Sequence, residues 1–284
     1  MIWRKKFVKF SPRISKATMQ PFFIFLPSLL MVLFSCSPPS EKYIYRDFGK
    51  YYDLFEVEGT FVLYDLKKET FIVHNAEFAG KPFTPASTFK IVNSLIGLET
   101  GVISDASFII AWDSVVRDLP IWNQDQSLSS AFKYSAVWYY QEMARRIGED
   151  QLKTWLEKLE YGNGNISSGV DRFWLSGSLQ VTPQQQVDFL KRLYANKLPV
   201  HDRSSEIVKE IMVEKDSLGY VLRSKTGWGN QDGKEVGWYV GYFETGDNDY
   251  FFANCILTED KENRTFLAAR KEIVNLIMEE LDLL

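Results

Sequence analysis

Four short segments of this chain carry residue types that could do covalent chemistry at an acyl centre. The first is Pro85-Ala86-Ser87-Thr88-Phe89-Lys90, opening the helical run Ile91 to Leu98. At i and i+3 on a helix, Ser87 and Lys90 share a face, so the amine can reach the hydroxyl. Serine becomes a useful nucleophile when a neighbour takes its proton, and a lysine of lowered pKa can do so. A helix start adds backbone N–H groups and a positive dipole end. Alone, the pattern is common: Ser87 could equally cap the helix while Lys90 points at water. In the second segment, Ser135-Ala136-Val137, Ser135 is either a proton relay or an ordinary N-cap at the start of another helix. The third, Tyr161-Gly162-Asn163, reads as a Gly/Asn turn, or as a loop that aims Asn163 into a cleft. The fourth, Ser224-Lys225-Thr226-Gly227-Trp228, ends a strand. On an edge strand Lys225 and Thr226 offer a cation and a hydroxyl to a carboxylate. Gly227 would let substrate approach the backbone, and the Trp228 N–H could complete an oxyanion hole with that of Ser87.

The surrounding pattern says which elements must hold these segments. Two β-rich runs, Thr60 to Asp65 and Thr70 to Asn75, flank Leu66-Lys67-Lys68-Glu69 and suit a hairpin. The middle of the chain is helical: Leu152, Trp155, Leu156 and Leu159 fall on one face. Thr182-Pro183-Gln184-Gln185 has the form of a capping box, followed by a stripe of Val187, Leu190 and Tyr194. Strands return at Tyr220 to Ser224, Trp238 to Phe243 and Tyr250 to Leu257. A terminal helix then carries Leu267, Arg270, Ile273, Val274, Ile277 and Leu281 on one face. Strands at both ends with helices between them predict an α+β protein, with the ends sharing one sheet, the middle forming a helical lobe, and a cleft between. Arg270 lies on the stripe of the last helix, so it should face the sheet and need an anionic partner.

In this order, Ser-x-x-Lys, Ser-x-Val, Tyr-Gly-Asn and Lys-Thr-Gly resemble the signature of the serine penicillin-recognising enzymes, and the middle two resemble the class D (oxacillinase-type) β-lactamases in particular. The resemblance runs from about Thr60 to the last helix. It includes Phe173-Trp174-Leu175-Ser176-Gly177-Ser178-Leu179, similar to that family's Trp-containing loop. It implies a β-lactamase/transpeptidase-like fold: a central antiparallel sheet from both chain ends, flanked by helices, plus an all-helical lobe. It also implies catalytic roles for Ser87, Lys90, Ser135 and Trp174, with Lys90 carbamylated by CO₂ or bicarbonate and the Trp174 indole holding the carbamate. Substrate binding is implied for Val137, Asn163, Leu175, Lys225, Thr226, Gly227, Trp228 and Arg270. Val137, Trp174, Leu175 and Phe89 would supply apolar surroundings that lower the Lys90 pKa. Neither Glu-x-x-Leu-Asn nor Ser-Asp-Asn occurs. The implied activity is hydrolysis of penicillin-type antibiotics through an acyl-enzyme on Ser87, without a metal or other cofactor, conferring resistance. A penicillin sensor or a DD-peptidase that is acylated but turns over slowly is the alternative.

Composition sets the remaining bounds. The 284 residues are 45% hydrophobic and 25% charged, as in a globular protein. Two Cys exclude a disulfide framework, and two His leave little for a histidine metal centre. His74 and His201 lie near no Gly-x-Ser-x-Gly elbow and read as structural. Residues 1–36 carry six basic side chains, no acid, and the apolar run Pro21 to Phe34. That is the pattern of a signal peptide, and Leu33-Phe34-Ser35-Cys36 has the form of a lipobox. The expected organisation is therefore a signal over 1–36, a tether over 37–45 and one domain over 46–284. Export would place the protein in the periplasm of a Gram-negative-type bacterium, membrane-tethered if Cys36 is lipidated. Removing the signal leaves 27 of the 33 basic residues against 37 acidic ones, a net charge of −10. That disfavours nucleic acid as a partner. A homodimer is compatible with the pattern.

Overall fold

The near-continuous apolar runs of the central strands build one sheet with both faces covered. The computed structural model describes residues 1–3, 6–12, 42–175, 177–217 and 219–283. The apolar run Pro21 to Phe34, Cys36 and the start of the expected tether lie outside them, as does Ser176. The chain divides into two units, residues 1–39 and 40–284, and the fold described is that of the second. No helix among the described residues is long and apolar enough to cross a membrane.

In chain order the elements are β1 (Lys42–Tyr45), α1 (Gly49–Asp53), β2 (Glu58–Asp65), β3 (Thr70–His74) and α2 (Ala76–Ala79). A 3₁₀ turn (Ala86–Phe89) runs into α3 (Lys90–Glu99), followed by β4 (Ile109–Ile110), β5 (Gln126–Ser127), α4 (Leu128–Lys133), α5 (Val137–Ile147) and α6 (Glu149–Leu159). Then come α7 (Pro183–Tyr194), α8 (Asp202–Ile211), β6 (Val213–Ser217), β7 (Tyr220–Gln231), β8 (Lys234–Thr245), β9 (Asp249–Thr258) and α9 (Phe266–Glu280).

The seven-stranded sheet has the order β1-β3-β2-β9-β8-β7-β6. β2 of the first half pairs antiparallel with β9 of the last, so the two chain ends do share one sheet. Side chains alternate along β2: Phe61 and Leu63 pack with Ile273, Val274 and Ile277 of α9, while Val62 and Tyr64 join the core under the middle helices. The predicted capping box is present, with the Thr182 hydroxyl accepting from Gln185 N at 3.0 Å and the Gln185 side chain accepting from Thr182 N at 2.9 Å.

Four expectations are corrected. The sheet is mixed, because β1 runs parallel to β3. β1 also occupies residues 42–45 of the expected tether, so the sheet starts before residue 46. The middle lobe is not all helical: β4 and β5 pair within it. Finally, the Lys225-Thr226-Gly227 segment does not end its strand. β7 continues to Gln231 and turns into β8 through Asp232-Gly233, both at positive φ as a two-residue hairpin turn requires.

Candidate active site

The centre of the site is the junction between the 3₁₀ turn and α3. Ser87 lies in that turn and is 9% exposed; Lys90 begins α3 and is fully buried. Lys90 Nζ is 2.7 Å from Ser87 Oγ. Burial first, and the cation Lys225 second, push the Lys90 amine well below the ordinary lysine range. Ala86, just before the nucleophile, takes the left-handed region at φ 47°, a strained backbone for a residue with a Cβ. The Thr84 carbonyl, three residues before Ser87, accepts from the Trp238 indole at 2.8 Å and not from the Ser87 N–H. Among the described residues no backbone acceptor pairs with that N–H, which leaves it for another acceptor.

The surroundings of Lys90 are aromatic. The Phe89 ring lies 5.2–5.8 Å from those of Phe173, Trp174 and Tyr161, edge-on to Phe173 and tilted to the other two. Trp174 is fully buried, and its Nε1 has no hydrogen-bond partner among the described residues. A donor left unpartnered in an apolar interior costs roughly 1–3 kcal/mol, so the position favours an incoming acceptor. The ring of Tyr140 lies 5.2 Å from Lys90 Nζ. Ser94 spends its one hydrogen on Lys90 O at 2.7 Å, so Tyr140 must be the donor in its 3.0 Å bond to Ser94.

Opposite Ser87 stands β7. β6 covers β7 only as far as Arg223, with one further bond from Ser224 N to Met212 O. From Lys225 onward the strand edge is open. Lys225 is buried, donates to Ser135 Oγ at 3.1 Å and to Thr226 O at 3.0 Å, and is pushed down to about 7 by burial and by Arg270 and Lys271. Ser135 is held at φ 55° just before α5; Ala136 is the N-cap residue, so Ser135 does not cap the helix. Val137, the first residue of α5, and Leu175 are half-buried. Gly227 passes so close to the 3₁₀ turn that a Cβ there would stand 3.0 Å from Pro85 O and 3.2 Å from Thr88 Cγ2. Trp228 pairs with Gly237 in the ladder and its ring is exposed, bonded to Glu235. Arg270 donates to Gly227 O at 2.8 Å and Leu267 O at 2.9 Å, and no carboxylate pairs with it among the described residues.

Asn163 does not join this cluster. It is exposed, its amide donates to Ser178 O at 3.0 Å, and its Oδ1 accepts from Asn165 N and Gln180 N. Three backbone bonds turn the side chain toward residues 165–180, which it ties together, and not toward the Ser87 cluster. Its motif partner Tyr161 works from below: Tyr161 OH donates to Gln186 Oε1, whose amide donates to Thr88 Oγ1 at 2.9 Å, under the nucleophile turn. The histidines stand elsewhere, His74 accepting from Phe48 N at 3.1 Å and His201 against Glu99 at 2.8 Å. Among the described residues no group of His, Cys, Asp and Glu could hold a metal ion.

Residue-by-residue reading missed Tyr140, Ser94, Trp238 and Gln186. Gln186 did carry a signal, a polar side chain on the buried face of α7 beside Val187 and Leu190. Trp238 and Tyr140 look like core from sequence, and their polar atoms acquire meaning only from partners distant along the chain.

The penicillin binding protein transpeptidase domain model matches residues 59–279. β-Lactamase OXA-48 of Klebsiella pneumoniae is 43% identical over 196 residues, which are 69% of this chain and 74% of that one. The crystal structure of the class D β-lactamase YbXI from Nostoc superposes with a TM-score of 0.79 at 42% identity, covering 83% of this chain and 98% of that one. The C-terminal domain of the Bacillus licheniformis BlaR penicillin receptor superposes with a TM-score of 0.82 at 35% identity, covering 87% and 99%.

Proposed function

Since this chain belongs to the penicillin-binding transpeptidase family and, within it, to the class D serine β-lactamases, we propose that it hydrolyses the lactam amide of penicillin-type antibiotics through an acyl-enzyme on Ser87 and thereby confers resistance. The observation that carries this reading is the sealed Ser87–Lys90 pair, a hydroxyl 2.7 Å from an amine that burial keeps from its ordinary charge. Ser87 Oγ bonds to the lactam carbonyl carbon while its proton passes to Lys90. The N–H groups of Ser87 and Trp228 receive the oxyanion. Lys225 donates to the Ser135 oxygen, which leaves the Ser135 hydrogen free to pass to the leaving lactam nitrogen. Thr226, Lys225 and Arg270 take the substrate's carboxylate at the open edge of β7.

A neutral, buried lysine amine beside an unpartnered indole N–H fits the carbamate that the family implies, with Trp174 Nε1 to hold it. Carboxylation of Lys90 by CO₂ supplies an anionic base at the end of the side chain, suited to activating the water that releases the acyl group. Lys90 and Trp174 place that base beside Ser87 and exclude bulk water from it.

Purified protein assayed with a chromogenic cephalosporin in bicarbonate buffer should turn over, and should slow when bicarbonate is stripped. The BlaR-like reading rests on the match to that penicillin receptor. Mass spectrometry after penicillin exposure separates them: a persistent adduct on Ser87 means a sensor or peptidase, rapid release a β-lactamase. We also propose that residues 1–36 direct export to the periplasm, with lipid attachment at Cys36. The mass of the mature N-terminus tests that.

A further inference from the structure

One charged cluster beside the site has no part in these steps. β6 pairs Val213 with Arg223 and Lys215 with Leu222, so Glu214 is the extra residue of a β-bulge. A bulge leaves its extra residue out of the ladder and re-aims the side chain. Here the carboxylate of Glu214 accepts from Ser224 Oγ, from Tyr239 OH at 2.9 Å and from Lys271 Nζ. Ser224 is the residue before Lys225, and Glu214, Lys225 and Thr226 line one cavity of about 410 Å³.

The charges around Lys225 are mostly of its own sign. Arg270 and Lys271 face it from α9, and Lys90, the neutral amine on which the carbamate would form, faces it from α3. Lys133 of α4 and Glu210 of α8 line the same cavity, and the Phe132 ring lies 5.7 Å away. Glu214 opposes the α9 cations: it raises the proton affinity of Lys225 while Arg270, Lys271 and burial lower it.

We propose that Glu214 is a positioning residue for the reaction: from the bulge it fixes Ser224 and Lys271 beside Lys225 and favours the charged form of Lys225, the form that pairs with the substrate's carboxylate. This rests on the β-lactamase reading and adds to it a residue outside the four motifs. Its physical basis is the like-charge grouping of Lys225 with Arg270 and Lys271, in which Lys225 would shed its proton more readily if the carboxylate were lost.

The test reads Lys225 itself, so it stands apart from hydrolysis. The ¹³Cε resonance of Lys225 in lysine-labelled protein, identified by its absence in Lys225→Arg, is titrated in wild type and Glu214→Gln. The midpoint should fall by about one pH unit in Glu214→Gln and stay near the wild-type value in Glu214→Asp. In steady state, KM for a carboxylate-bearing β-lactam should rise several-fold at pH 8 and little at pH 6. A purely structural role would lower activity at both pH values alike. Glu214→Gln strands Lys271, and a variant that fails to fold for that reason yields no midpoint. Lys271→Met and the double variant Glu214→Gln/Lys271→Met then give the same comparison, with the lower midpoint in the double variant. An unchanged midpoint in either folded pair overturns the inference. If the midpoint moves and no β-lactam is hydrolysed, the role of Glu214 stands and the substrate assignment falls.

Discussion

Arg270 Nη1 donates to the Gly227 carbonyl at 2.8 Å, tying the last helix to the strand edge that would receive substrate. The guanidinium is largely buried, which lowers its pKa to about 10 and leaves it fully charged at neutral pH. With no internal carboxylate beside it among the described residues, its counter-charge must arrive from outside. Arg270→Ala should therefore lower kcat/KM for a carboxylate-bearing penicillin about ten- to a hundredfold, the worth of a charge-assisted hydrogen bond. An ester of the same penicillin should lose far less. Equal losses for acid and ester would remove Arg270 from substrate binding.

Trp174→Phe deletes the unpartnered Nε1–H and keeps most of the ring that packs on Phe89. The fold should tolerate it, with a melting temperature close to wild type. The bicarbonate concentration needed for half-maximal activity should rise about ten- to a hundredfold, because one charge-assisted hydrogen bond to the carbamate is gone. An unchanged bicarbonate dependence would leave the indole N–H without that role.

Buried lysines also set how stability responds to pH. Lys225 titrates near 7 in the folded protein and near 10.5 as an ordinary lysine. Between those values the unfolded chain binds more protons than the folded one, so stability rises with pH, by at most about 1.4 kcal/mol per pH unit for one group. Lys90, also pushed down, acts in the same direction. Above about pH 10 the buried Tyr52 and Tyr140, whose pKa values burial raises, oppose it. In bicarbonate-free buffer, urea midpoints should climb from pH 7 to 9, and Lys225→Met should climb less. A falling midpoint over that range would contradict the burial of both amines.

Gly162 has φ 57°, and a Cβ there would stand 2.2 Å from Gln180 O. Gly162→Ala should cost about 2 kcal/mol or more, from left-handed strain and a backbone clash together. Chemical denaturation measures it directly. A loss below about 0.5 kcal/mol would mean that residues 162 and 180 separate at little cost.

Legibility differed with the range of the contact. Ser87 and Lys90 are three residues apart on one helical turn, so their meeting could be read from spacing. The hairpin of β2 and β3 and the cap at Thr182 are local in the same way. The pairing of β1 with β3 was missed because Lys42 to Tyr45 is exposed throughout and shows no buried face. The Tyr161-Gly162-Asn163 segment reads equally as a turn or as a cleft-facing loop, and the choice depends on partners of Asn163 that lie 15 and 17 residues further on, in a loop whose path no periodicity encodes. Glu214 depends on a register slip between two strands, which sequence patterning does not reveal.

The pairing of β2 with β9 also fixes an order of events. Glu58 meets Leu257 and Asp65 meets Tyr250, so the middle of the sheet waits for residues nearly 200 positions downstream. α4, α5 and α6 make contacts over short stretches and can form while the chain is still emerging, but β2 has only β3 to pair with until the last strands arrive. Contacts this distant in sequence close slowly. Throughout that interval the face of β2 that carries Phe61 and Leu63 waits for α9 and remains uncovered, so the chain is at its most aggregation-prone just before it becomes an enzyme.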